Sequence, residues 1–231
     1  MLPFNITSNK LLEDYTEDEL KAGAVFLVDK PLEWTSFQVV NKLRWVIRKT
    51  HNIKKIKVGH AGTLDPLATG LLIICVGKKT KEIEFYQGKE KEYSGTITVG
   101  GTTPSFDLET EIDQTFSTEK ITEQDLQNAA KSLSGAIEQY PPVFSAVKID
   151  GKRAYESARK GEEVKVKPRN VDISKFDIDT SEFPKVHFTI ICSKGTYIRS
   201  IASDFGKALN NGAHLSSLRR ERIGEFSIKN S

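Results

Sequence analysis

Residues 59–70 read GHAGTLDPLATG and set one carboxylate, Asp65, among three glycines. Gly59, Gly62 and Gly70 let the backbone turn tightly and let a ligand come close. Pro66 fixes its own φ and biases Asp65 away from helical geometry. The apolar run LLIICVG follows at once. A carboxylate on a stiff loop that feeds a buried strand has a defined position, as chemistry on a bound substrate requires. Asp-Pro between glycines also makes an ordinary turn, so spacing alone leaves both readings open. The segment is no GxxxxGK[ST] phosphate cradle, because no Lys-Ser/Thr follows the right glycine. It holds no Ser–His pair at nucleophile-elbow spacing. A glycosidase would need a second carboxylate at a recognisable site, and none is evident.

The elements that must position this loop are legible in outline. AVFLVDKP reads as a short buried strand that stops at Pro31. A helix is predicted from about Ser36, with Val39, Val40, Leu43, Val46 and Ile47 on one face and Arg44, Arg48 and Lys49 toward the other. The loop then passes into the strand LLIICVG. KEYSGTITVG alternates, with Tyr93, Gly95, Ile97 and Val99 on one side. Residues 101–120 form a polar excursion. Thr122 to Leu133 is predicted helical, with Thr122 and Asp125 in capping-box positions and Gly135 as the stop. FSAVKIDG and Val164 to Ile173 suggest strands around a short helix, AYESARK. KVHFTIIC is a further strand, and Ile198, Ile201, Ala202, Phe205, Ala208 and Leu209 mark the last long helix. Strands and helices alternate without a regular βαβ beat. The expected class is α+β, with a mixed, largely antiparallel sheet flanked by helices.

The chain has 231 residues, 38% of them hydrophobic, enough for a sizeable core. No apolar run approaches the ~20 residues of a membrane helix, and the acidic start has no signal-peptide core. A cytoplasmic protein is expected. Cys75 and Cys192 each sit in an apolar run, as buried free thiols do. His51, His60, His187 and His214 show no metal-ligand spacing. Net charge is only +3, but the signs are segregated. Bases gather at Arg44 to Lys57, Lys78 to Lys91, Lys148 to Lys160, Lys165 to Arg169 and Arg219 to Arg222. Such a chain can present a basic face to nucleic acid, although lysine runs are also ordinary solvated surface.

GHAGTLDPLATG resembles the signature motif of the TruB family of pseudouridine synthases almost residue for residue. LVDKPLEWTSFQVV resembles the family's Lys-Pro motif, and KEYSGTITVG its tyrosine strand. QYPPVFSAVKIDGKRAYESARKG is similar to its Pro-Pro-x-x-Ser-Ala-x-Lys segment. CSKGTYIRSIASDFGKALNNGAHLSSLRR is similar to its C-terminal motif. The matches keep their order from about Ala24 to Ile228.

The resemblance implies isomerisation of a tRNA uridine, position 55 of the T loop, to pseudouridine, with no metal and no cofactor. Asp65 matches the catalytic aspartate, which attacks the sugar or assists elimination to a glycal; both routes stay open. Arg199 matches the arginine that pairs with it, and a guanidinium beside a carboxylate favours the charged form. Tyr93 matches the catalytic tyrosine that packs on the flipped uracil and is a candidate base at the sugar. His60 and Tyr197 match residues beside the flipped nucleotide. Lys30 and Pro31 match a pair that supports the catalytic loop and are counted with the substrate-binding residues. Lys81 matches a lysine near the substrate phosphates, and Leu218 an apolar residue lining the uracil pocket. Arg219 and Arg220 are expected to add RNA backbone contacts.

The implied architecture is a pseudouridine synthase fold with a central RNA-binding cleft. A single catalytic domain over residues 1–231 is expected, with 1–22 as an acidic extension and no C-terminal PUA module. The expected partner is the T arm of tRNA, bound by a monomer, with no membrane. Asp107 stands as a polar contact where GGTTPSFDLET departs from the family's Thr-Asp-Thr core. A non-catalytic tRNA-binding factor is the rival reading. It has little use for a paired carboxylate facing RNA phosphates.

Overall fold

A computed structural model of the chain describes residues 2–145, 148–149, 152–153 and 166–228. The expected helix AYESARK lies outside the described residues, as do half of FSAVKIDG and the start of the strand expected from Val164. Two compact units are present, residues 1–93 with 218–231, and residues 94–217.

The first unit is built around strand β4 (Ala68–Val76). Strand β2 (Ala24–Lys30) pairs antiparallel along one edge, Ala24 against Val76 through Lys30 against Gly70. Strand β1 (Ile6–Thr7) extends that side by pairing with β2, so the acidic N-terminal stretch contributes to the sheet. The other edge of β4 is shared. The short strand β3 (Val58–His60) pairs antiparallel with Ile74 to Val76. Leu218, Arg219 and Arg220, from β9 (Ala213–Ile223), pair in parallel with Ala68 to Gly70.

Every residue of Leu71–Val76 is fully buried. Leu72, Ile74 and Val76 point into a core with Val39, Val40, Leu43 and Ile47 of helix α2 (Ser36–Thr50). Leu71, Ile73 and Cys75 point the other way, toward Ala61, Tyr86 and Ile223. A strand covered on both faces reads as a continuous apolar run, which is why the sequence shows no alternation here. Helices α1 (Glu17–Ala22) and α3 (Ile83–Gly88) complete the unit. Thr35 caps α2 with a capping box to Gln38. Gly70 is obligatory: its φ is 100°, and an added Cβ would lie 2.3 Å from the Arg220 carbonyl oxygen.

In the second unit the order is β5 (Lys91–Val99, of which Ser94–Val99 lies here), β8 (Lys185–Cys192), β7 (Arg169–Glu182) and β6 (Gly135–Gln139). The β6–β7 and β7–β8 pairs are antiparallel. Helices α4 (Glu123–Ser132) and α5 (Ile198–Ala208) accompany this sheet, and Phe205 of α5 packs on Phe176 of β7 at 6.0 Å between ring centres. The capping box of α4 runs from Thr122 to Asp125 as expected. Gly135, read as the helix stop, is the first residue of β6, with φ 81°. The fold is thus mixed α/β on mostly antiparallel sheet. Cys75 and Cys192 are buried free thiols.

Candidate active site

The loop from Ala61 to Pro66 leaves β3 and returns as β4, and its backbone is held at nearly every step. The Ala61 amide donates to the Ile73 carbonyl at 2.8 Å. Arg220 donates from Nη2 to the Gly62 carbonyl at 3.0 Å and from Nη1 to that of Thr63 at 3.3 Å. Its Nε donates to the Leu71 carbonyl at 2.7 Å. The Ser36 hydroxyl donates to the Leu64 carbonyl at 3.1 Å and accepts from the Leu64 amide at 2.9 Å. The Asp65 carbonyl accepts from Ala68 at 3.1 Å, and that of Pro66 from Glu33 at 2.8 Å. Lys30 Nζ also reaches Pro66 O, at 3.2 Å, together with the carbonyls of Pro31 (2.8 Å) and Trp34 (2.6 Å). Each carbonyl from Gly62 to Pro66 therefore has a partner. Asp65, half-buried, is presented by a frame that cannot easily shift.

Two buried cations carry much of this. Lys30 is fully buried and Arg220 is 1% exposed. Burial pulls the Lys30 ammonium down to about 8, Arg220's charge pulls the same way, and Asp65 pushes it back up. His60, at the end of β3, is held below its usual value first by burial and then by Arg220, against a hydrogen bond to the Gly62 backbone. Its Nδ1 is buried without a hydrogen-bond partner. Such an atom is costly, and here it adjoins the loop that bears Asp65.

Leu218 lies beside Ala68 in the β4–β9 pairing, and its carbonyl accepts from Thr69 Oγ1 at 3.5 Å. Tyr93 is buried on β5. Lys81 is exposed on the turn that follows β4, whereas Asp65 precedes that strand.

In the second unit, Tyr197 caps α5. Gln139 clamps its backbone, accepting from the amide at 2.8 Å and donating to the carbonyl at 3.1 Å. The Arg169 guanidinium sits over its ring at 5.3 Å. Arg199, the second residue of α5, is 3% exposed. Its Nη1 donates to the Ser105 carbonyl at 3.3 Å, and its Nε lies 3.6 Å from Asp107 Oδ2. Asp107 is itself fixed: Oδ1 accepts from the Glu109 amide at 2.9 Å, and its carbonyl accepts from Thr103 and Ser105. The polar excursion thus supplies a buried carboxylate to Arg199.

Burial of Arg220 rules out the RNA contact expected of it, whereas Arg219 keeps its side chain partly exposed. Arg219 makes a two-pronged bond to Asp29, both contacts at 2.9 Å, and Arg220 is spent on the loop. Ser36 and Gln139 carry no expectation from the sequence, and Arg220 only that of an RNA contact. For Arg220 a signal exists in a charged residue at an inward position of LSSLRRERI. Ser36 carries none beyond following the cap residue Thr35.

The chain superposes on a chain of "Crystal Structure of a Cbf5-Nop10-Gar1 Complex" with TM-score 0.68 and 26% identity. That match covers 98% of this chain and 60% of the other. The fold class is that of the pseudouridine synthases. The model of the TruB family pseudouridylate synthase (N terminal domain) matches residues 48–198. A tRNA pseudouridine synthase B of Flavobacterium johnsoniae is 55% identical, covering 94% of this chain and 95% of its own. One from Phocaeicola vulgatus is 54% identical, covering 90% and 89%. This chain belongs to the TruB family.

Proposed function

We propose that the chain is a tRNA pseudouridine synthase that isomerises uridine 55 in the T loop. The observation that carries this is the fixed Asp65 loop in a chain 55% identical, over nearly its whole length, to a protein named for that activity. The reaction breaks the C1′–N1 bond, turns the uracil, and joins C5 to C1′; the C5 proton leaves and N1 gains one, so nothing is lost overall. Positive charge develops at C1′ during cleavage, and a positioned carboxylate stabilises or captures it. Asp65 takes that role. Tyr93 offers an aromatic face to the base, and Arg199, oriented by Asp107, serves the same reaction. His60, Tyr197 and Leu218 each match a family residue that meets the flipped nucleotide, Lys81 one that meets phosphate, and Lys30 with Pro31 stiffens the loop. Reaching C1′ requires the nucleotide to leave its stack, at a few kcal/mol.

The protein works as a monomer on the T arm, in the cytoplasm. Among the described residues no helix is long and apolar enough to cross a membrane. The test is an unmodified tRNA transcript incubated with wild type and with Asp65→Asn, followed by mapping of pseudouridine. Product from wild type alone is expected, with tRNA binding retained by the variant. No product from either, with tight binding by both, would favour a binding factor.

A further inference from the structure

Residues 34–64 contain no Asp or Glu, yet hold seven Lys and Arg in a chain whose net charge is only +3. Helix α2 gathers part of this charge around an exposed aromatic. Trp45 is 53% exposed, unusual for so large an apolar ring. Lys42 and Lys49 each place Nζ 5.0 Å from its ring centre. A shallow depression of about 330 Å³ continues from Trp45 past Arg48, Lys49 and Asn52 to Lys54.

Several lysines elsewhere are paired with a carboxylate, Lys10 with Glu19, Lys21 with Glu17, Lys79 with Glu82 and Lys207 with Asp204. Among the described residues, none of Lys42, Arg48, Lys49 and Lys54 has an acidic partner. An ordinary solvated helix face carries mixed signs. An unneutralised basic strip around a flat aromatic has the complementary form of a nucleic acid strand, with phosphates for the ammonium groups and a base for the ring.

We propose that this face of α2 is a second RNA contact, binding an unpaired nucleotide of the tRNA outside the target uridine. Its base stacks on Trp45, and its neighbouring phosphates lie on Lys42, Lys49 and Lys54. The inference rests on the tRNA reading above. Helix α2 begins at Ser36, which is bonded to Leu64 of the catalytic loop. Trp45 is nine residues further, about 14 Å along the axis at 1.5 Å per residue. At the roughly 3.4 Å axial rise per nucleotide of one stacked, duplex-like strand, that span is about four nucleotides, within reach of one RNA.

The experiment measures tRNA binding from 50 to 200 mM salt, and steady-state pseudouridine formation, for wild type, Trp45→Ala and Lys42→Ala/Lys49→Ala. The double variant should flatten the log–log salt slope by about 1.4 to 1.8, the value for two lost phosphate contacts. Trp45→Ala should weaken binding by about 5- to 150-fold, the range of one lost base stack. Both effects should fall on KM, not kcat. In a Trp34→Phe background, tRNA should quench the fluorescence of Trp45. Wild-type affinity, slope and fluorescence in these proteins, with pseudouridine still formed, would overturn this inference and leave the activity standing. Absence of pseudouridine from wild type would sink the activity instead, and the binding arm would still decide the patch. A dimer without RNA that Trp45→Ala dissolves, with tRNA affinity unchanged, would overturn it in favour of a second copy of the chain.

Discussion

Replacing Lys30 by Met should change how stability depends on pH in a defined window. The ammonium is fully buried at the end of β2, bonded to three backbone carbonyls, and beside the positive Arg220. Its pKa falls from 10.5 to about 8 on folding. At about 1.4 kcal/mol per pH unit this is a penalty of roughly 3 kcal/mol on the charged form. Below pH 8 both folded and unfolded chains hold the proton, and the penalty is full. Between pH 8 and 10.5 the unfolded chain still binds a proton that the folded chain has released, so this group adds stability as pH rises. Urea unfolding of wild type and Lys30→Met across pH 7 to 11 isolates it, because other groups cancel in the difference. Wild type should gain about 3 kcal/mol on the variant between pH 8 and 10.5 and nothing below pH 7.5. A difference that stays flat through that window would refute the claim that Lys30 is held charged against burial beneath the loop.

Other outcomes follow from the same frame. Arg220→Met leaves the Gly62 and Thr63 carbonyls without their guanidinium donor; a loss of about 2–4 kcal/mol in urea unfolding is expected, with a fall in kcat at saturating tRNA. Gly70→Ala places a Cβ 2.3 Å from Arg220 O at a positive φ, and should cost at least about 3 kcal/mol or abolish soluble expression. His60 is held below 6.5 when folded, so below that pH the unfolded chain gains a proton the folded chain refuses, and stability falls with acidity. His60→Gln should lessen the drop in Tm between pH 7 and 5. Asp107→Ala removes the buried carboxylate 3.6 Å from Arg199 Nε and should cost up to about 3 kcal/mol in thermal or urea unfolding.

The sequence alone determined the elements that obey simple periodicities. Strand β2 ends at Lys30 because Pro31 follows, helix α2 starts where Thr35 and Gln38 close a capping box, and β8 alternates as a sheet with one covered face must. The family motif around Asp65 was equally plain, because glycines and proline constrain the chain locally. What holds Asp65 was decided by tertiary structure. Ser36 meets Leu64 across 28 positions, and Arg220 meets Gly62 across 158. No local pattern encodes such partners. Arg219 and Arg220 show the limit most clearly: adjacent and identical in type, they point to opposite faces of β9. One pairs with Asp29 at the surface, while the other is buried beneath the catalytic loop. In a strand, a single step reverses the side chain's direction. Which face becomes the interior is set only when β9 docks in parallel against β4.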